Sequence, residues 1–178
     1  MSDIDVFAAS LLEEAKRFLE KAGESNEAEA ENAHLHASLM LAFSSLEAHV
    51  NSVADEIALR KNISVHDLGA LLEKEVRSKD GEYFLSNSLK IHRLEDRIAI
   101  LHRIFTGKPA AGAWKSKLAM ATDLRNKLTH PKIVPTINSA SVKRAIEAAI
   151  ETIDALYGVV YKRRFPAAHR KLESKLTF

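Results

Sequence analysis

Leu39, Phe43, Leu46, Val50, Val53 and Ile57 recur at alternating spacings of four and three, the seam of a long bundle helix running from about Glu27 to Leu59. Ahead of it, Phe7, Leu11, Leu12, Ala15, Phe18 and Leu19 fall on one face of a helix over about Asp5 to Lys21, and AGESNEAEAEN reads as the polar turn between the two. Beyond it, Ser64 or His66 can cap a short helix over about Asp67 to Arg77, followed by SKDGEYFLSNS as a loop. A helix over about Leu89 to Phe105 would bury Leu94, Ile98, Leu101 and Phe105 and carry Lys90, Arg93 and Arg97 on its other side. TGKPAAG breaks the chain before a helix that begins near Trp114 and ends in DLRNKLTHP, and Pro131 and Pro135 keep KIVPTINS irregular. The last long helix, about Ala140 to Arg163, presents Val142, Ile146, Ile150, Ile153, Leu156 and Val160 to a core, with Tyr157 and Tyr161 together on one side. FPAAHRKLESKLTF is a basic tail, loosely held from about residue 165. The pattern predicts an all-α protein, an up-and-down helical bundle of four to six helices, forming one domain over residues 1–178.

Composition narrows the function. With 28% charged and 46% hydrophobic residues the chain reads as an ordinary globular protein. It has no cysteine, which excludes disulfides, zinc–thiolate sites and thiol nucleophiles together and suits a cytoplasmic location. The acidic, amphipathic start does not resemble a secretory or transit signal, and no apolar run approaches the roughly 20 residues of a membrane span, so no membrane partner is expected. The net charge of +2 conceals a polarity: residues 1–80 hold 8 Lys and Arg against 16 Asp and Glu, and residues 81–178 hold 18 against 8. Such a basic half can meet an anionic partner such as nucleic acid, or the two halves can attract each other in an assembly. The long seam-bearing helix could serve a dimer interface as well as a core.

No metal site is expected. His34 and His36, two apart in a helix, diverge, and His49 near Glu47 lacks a third ligand at helical spacing. There is no glycine-rich phosphate loop and no GxSxG elbow, and no cofactor is implied. What remains is the pattern R-x(4–6)-H, which recurs at Arg60/His66, Arg97/His102, Arg125/His130 and Arg164/His169 and so carries no weight alone. Context separates these pairs. Arg97 and His102 lie about 140° apart on a helical wheel, Pro166 divides Arg164 from His169, and Arg60 and His66 flank a loop. Only Arg125 is followed by a short polar side chain, Asn126, four residues before His130 and on the same helical face. Pro131 disfavours the helical conformation at His130, which should sit where the helix opens out. The plainer alternative is that Arg125 and Lys127 complement the helix dipole and His130 bonds a terminal carbonyl.

Arg125-Asn126-Lys127-Leu128-Thr129-His130, the long helix bearing LEAHVNSVA (Leu46 to Ala54) and a final long helix after the motif together resemble the HEPN domain (higher eukaryote and prokaryote nucleotide-binding). The resemblance spans about residues 30 to 163, and the motif is its specific part. It implies a helical bundle, a homodimer that brings two motifs together across one groove, and metal-independent cleavage of RNA by Arg125, Asn126 and His130. It further implies a toxin or phage-defence role, with an antitoxin or other neutralising protein as partner. On this reading Lys127, Lys132, Lys90, Arg93 and Arg97 would meet RNA phosphates and Tyr157 and Tyr161 would stack a base. Two other readings stand beside it: a HEPN-like bundle without catalysis that binds a protein or nucleotide, and a helical adaptor in which the motif is accidental.

Overall fold

A computed structural model describes residues 3–60 and 62–178. Its described residues are mostly helical: α1 (Asp3–Glu24), α2 (Ala28–Ala58), α3 (Val65–Leu71), α4 (Leu94–Thr106), α5 (Ala113–Thr129) and α6 (Ser139–Val160), with a two-stranded antiparallel sheet, β1 (Lys74–Lys79) and β2 (Glu82–Leu89), between α3 and α4. The predicted helical bundle is thus observed, with a hairpin added. Among the described residues no helix is long and apolar enough to cross a membrane.

α2 is the central post. All six predicted seam residues are buried in a core shared with α1, α4, α5 and α6. α1 and α2 run antiparallel at close quarters because small residues recur every seventh position on each. Ala8, Ala15 and Ala22 of α1 and Ser38, Ser45 and Ser52 of α2 are all buried. The serine hydroxyls donate across the interface, Ser38 to the Ala15 carbonyl at 2.6 Å, Ser45 to the Ala8 carbonyl at 2.7 Å and Ser52 to the Asp5 carboxylate at 2.6 Å. Each polar group is therefore satisfied where leucines would have forced the helices apart. Phe7, predicted inward, is 57% exposed; the face turned to α2 is the alanine row, and Phe7 lies off it.

Ser64 caps α3 by accepting from the Asp67 amide at 3.1 Å, but α3 is shorter than predicted. At Glu73 the backbone takes φ 52°, and the chain turns into β1. The predicted SKDGEYFLSNS loop is the turn and second strand of the hairpin. Its Asp80–Gly81 turn has φ of 53° and 86°, the positive values that a two-residue hairpin turn requires. Val76 and Leu85 of the hairpin close on Gly69 of α3, where a Cβ would meet the Val76 side chain at 2.5 Å. The strand takes Lys90 out of the predicted helix: its amide donates to the Glu73 carbonyl at 2.8 Å, and α4 starts only at Leu94, after Arg93. α4 ends on Gly107 in the left-handed region (φ 69°). α6 opens with a reciprocal Asn138–Ser141 capping box.

The basic tail is fastened to α1. Arg170 donates to the buried Glu13 carboxylate at 2.6 Å, the Lys175 amide donates to its other oxygen at 2.8 Å, and Ser174 donates to the Glu13 carbonyl at 2.8 Å. Arg17 donates to the Phe178 carbonyl oxygen at 2.6 Å. Burial alone would raise the Glu13 pKa, but these donors outweigh it and hold the carboxyl below its ordinary range.

Candidate active site

The motif stands at the C-terminal end of α5, which packs on α6 and meets α2 along one side. Arg125 is turned toward α2. Its guanidinium lies over the Phe43 ring, 5.2 Å from the centroid, and 3.7 Å from the Glu47 carboxylate. Phe43 and Glu47 are one turn apart, so a single face of α2 cradles the arginine between a ring and a charge. Asn51, one turn further along, accepts from Arg97 of α4 at 2.6 Å. The row Phe43–Glu47–Asn51 therefore collects two arginines from two neighbouring helices.

Asn126 is exposed, and its carbonyl accepts from the His130 amide at 2.9 Å, closing the last turn. His130 then leaves the helix with φ −130° and ψ 58°, as Pro131 demands. Its imidazole is exposed and, among the described residues, hydrogen-bonded to none, so it does not cap a terminal carbonyl. Lys127 is exposed and paired with Asp123 at 2.6 Å, one turn back on α5.

Two clefts meet at Asn126. The first, about 540 Å³, lies between α2, α4, α5 and the base of the hairpin and holds Arg125, Glu47, Glu73, Arg93, Glu95 and Arg97. The second, about 510 Å³, lies between the end of α5 and the 131–136 loop and holds His130, Lys132 and Asp123. Arg125 and His130 thus open onto adjoining clefts, and Asn126 lines both. The first cleft is of mixed charge, three carboxylates against three guanidiniums.

Several predicted RNA contacts are placed otherwise. Arg97 is only 4% exposed: besides Asn51 it donates to the Leu71 carbonyl at 2.6 Å and lies 3.4 Å from the Glu73 carboxylate, so it ties α4 to α2 and α3. Burial lowers its pKa, against the raising effect of Glu73 and Glu47. Tyr157 is buried in an aromatic cluster with His49, Tyr161 and Phe165 and has no free face for a base. Tyr161 is half-buried and its hydroxyl donates to Glu56 at 3.0 Å; burial and then this bond push its pKa up. Neither lies on a cleft with the motif. Lys90 and Arg93 are exposed, off the helix, and Arg93 lines the first cleft. Asn51, Thr122 and the Glu73–Glu95 wall are not marked in the sequence, and Glu47 enters there only beside His49 as a rejected metal pair, although Phe43, Glu47 and Asn51 stand at the helical spacing that could have disclosed the row. Among the described residues no cluster of three or more His, Cys, Asp or Glu is arranged to hold a metal ion.

No protein-family model, curated protein or solved structure matches the chain.

Proposed function

We propose that the protein is a metal-independent endoribonuclease whose site comprises Arg125, Asn126 and His130 and is completed in a homodimer. The observation that carries this reading is the junction of the two clefts at Asn126, with a fixed guanidinium on one side and an unengaged, exposed imidazole on the other. Cleavage without a metal needs a proton taken from the 2′-hydroxyl, a proton given to the departing 5′-oxygen, and charge held on the phosphorane between. His130, one from each protomer, supplies both proton transfers, a contribution of about 10²–10⁴-fold. Arg125 holds the phosphorane oxygens with its planar fork of donors, adding roughly 10²–10³-fold. Asn126 orients the bound phosphate or ribose between them. Lys132, on the second cleft, and Arg93, on the first, guide the flanking backbone.

Exposed apolar side chains on and after α5 support the dimer. Ile133 and Val134 are 83% and 93% exposed, and Met120 is 71% exposed on the outer face of α5. A second copy laid over this apolar border would remove it from water and bring its own His130 toward the first protomer's Arg125. Action as a toxin or in phage defence, with a neutralising protein covering the same surface, is the role such a nuclease would fit.

The mixed charge of the Arg125 cleft favours a second reading, a non-catalytic bundle that holds a nucleotide or protein partner there. One comparison separates the two. A mixed-sequence RNA oligonucleotide should be cut in excess EDTA, while the same oligonucleotide with 2′-deoxyribose throughout should stay intact. Cleavage of neither would favour the second reading, and cleavage of both would overturn attack by the 2′-hydroxyl.

A further inference from the structure

Arg125 offers an anion only its outer end. Its Nε is enclosed, and the Phe43 ring covers one face of the guanidinium, 5.2 Å from the centroid. An incoming phosphate oxygen must therefore use the terminal nitrogens. One of them, Nη2, lies 3.7 Å from the Glu47 carboxylate. At that distance the pair is ionic and not hydrogen-bonded, so the donors of Nη2 stay available. The Glu47 side chain is 48% exposed and that of Arg125 22%, so the carboxylate stands further out. A phosphate that takes the Arg125 donors does so beside a fixed negative charge.

The rest of the cleft does not offset that charge. Arg97 and Glu73 lie 3.4 Å apart and neutralise each other. Arg93 is matched by Glu95 on the wall, which leaves Arg125 against Glu47. The cleft therefore has donors for phosphate oxygens without a net positive charge. Attraction to it grows in proportion to the charge of a ligand, whereas the cost of stripping water from that ligand grows as the square. Where Glu47 cancels most of the pull of Arg125, the second term decides. A phosphodiester within a chain carries one negative charge, and a terminal monoester carries about two at neutral pH.

We propose that Glu47 is a charge filter in front of Arg125, which admits the singly charged internal phosphodiester and disfavours the doubly charged terminal monoester. In cleavage the second charge of the phosphorane is met by a protonated His130. The filter's part in cleavage rests on the ribonuclease reading, whereas its preference in binding is measured apart from cleavage.

The test is an amide NMR titration of the full chain, at about pH 7.5 and low ionic strength, with 2′-deoxyadenosine 3′-monophosphate and with its methyl ester. The two probes share base and sugar, differ by about one charge, and lack the 2′-hydroxyl that cleavage needs. Wild type should bind the methyl ester at least about threefold more tightly, with shifts at the Arg125 and Asn126 amides. Glu47→Gln should raise the affinity for the monoester about tenfold, raise that for the methyl ester less, and so reverse the order. Glu47→Asp, which keeps the charge, should keep the wild-type order, and added salt should narrow the difference. A wild type that prefers the monoester or binds neither probe overturns the filter. So does an unchanged ratio in Glu47→Gln, or a loss of both ligands there, which would make Glu47 a support for Arg125 and nothing more. The expected reversal in a protein that cuts no RNA would keep the filter and remove the nuclease. Cleavage of RNA with an unchanged ratio in Glu47→Gln would do the opposite.

Discussion

Along α2, neighbouring turns hold two arginines for different ends. Arg97 spends its donors on Asn51 and the Leu71 carbonyl and is a structural tie. Arg125, beside Glu47 at 3.7 Å, is held without being consumed. One turn of α2 also carries His49, 2% exposed, with neither ring nitrogen partnered, packed edge-on to Tyr157 and Phe165. Burial depresses its pKa from 6.5 to about 4, with the Asp5 charge opposing the shift. Between these values the unfolded chain binds the proton and the folded chain does not. Stability is therefore full above about pH 6.5 and falls as the pH drops toward 4, by about 3 kcal/mol for this one group. Urea unfolding across pH 4 to 7 should show the loss, and His49→Leu should flatten it; an unchanged slope in that variant would assign the acid sensitivity elsewhere. The motif itself was legible at this scale because Asn126 and Pro131 leave local marks: one sets a helical face, the other a helix end. That Arg97 is buried was not legible, because its partners come from α2 and the end of α3, 46 and 26 residues away.

At the scale of elements, periodicity carried the long helices and failed where pairing is between segments. The seam of α2 and the inward row of α6 are intrinsic to their own residues, so both were readable. The hairpin was not, since Lys74–Lys79 is charged at most positions and gains its shape only by pairing with Glu82–Leu89 and by packing on Gly69. Asp80–Gly81 was the local sign of it, a strong hairpin signal that a loop assignment passed over. The heptad of alanines in α1 against serines in α2 was equally visible and equally missed, because serine scores as polar until a carbonyl faces it. The tail shows the same dependence. Lys16, fully buried at 3.3 Å from Glu13, and Arg170 at 2.6 Å both rely on one carboxylate. Glu13→Ala should cost about 3–5 kcal/mol, the penalty of stranding buried charge. Arg170→Ala, at a site one-third exposed, should cost distinctly less. Urea denaturation of both variants checks the order, and equal small losses would mean that the tail is held mainly by its apolar contacts.

For the whole molecule, the charge polarity of the sequence is partly spent within the chain, since the basic tail lies on acidic α1. Beyond the end of α5 the exposed Ile133 and Val134 line the His130 cleft, and Met120 is exposed on α5 itself. If a second copy covers this border, Val134→Asp should weaken the dimer at least about tenfold in light scattering and lower RNA cleavage in step, with the melting temperature of the protomer unchanged. A monomeric wild type that cleaves RNA would place both proton transfers within one chain.

Arg125 and His130 are proposed to cleave RNA without a metal. The most direct test is a time course of RNA cleavage in excess EDTA by wild type, Arg125→Ala and His130→Ala, purified in parallel and matched for folding by circular dichroism. Cleavage by wild type and a loss of at least about 10²-fold in each variant are expected. Equal cleavage by all three proteins, or none by wild type on single-stranded RNA, structured RNA and tRNA alike, would contradict the proposal.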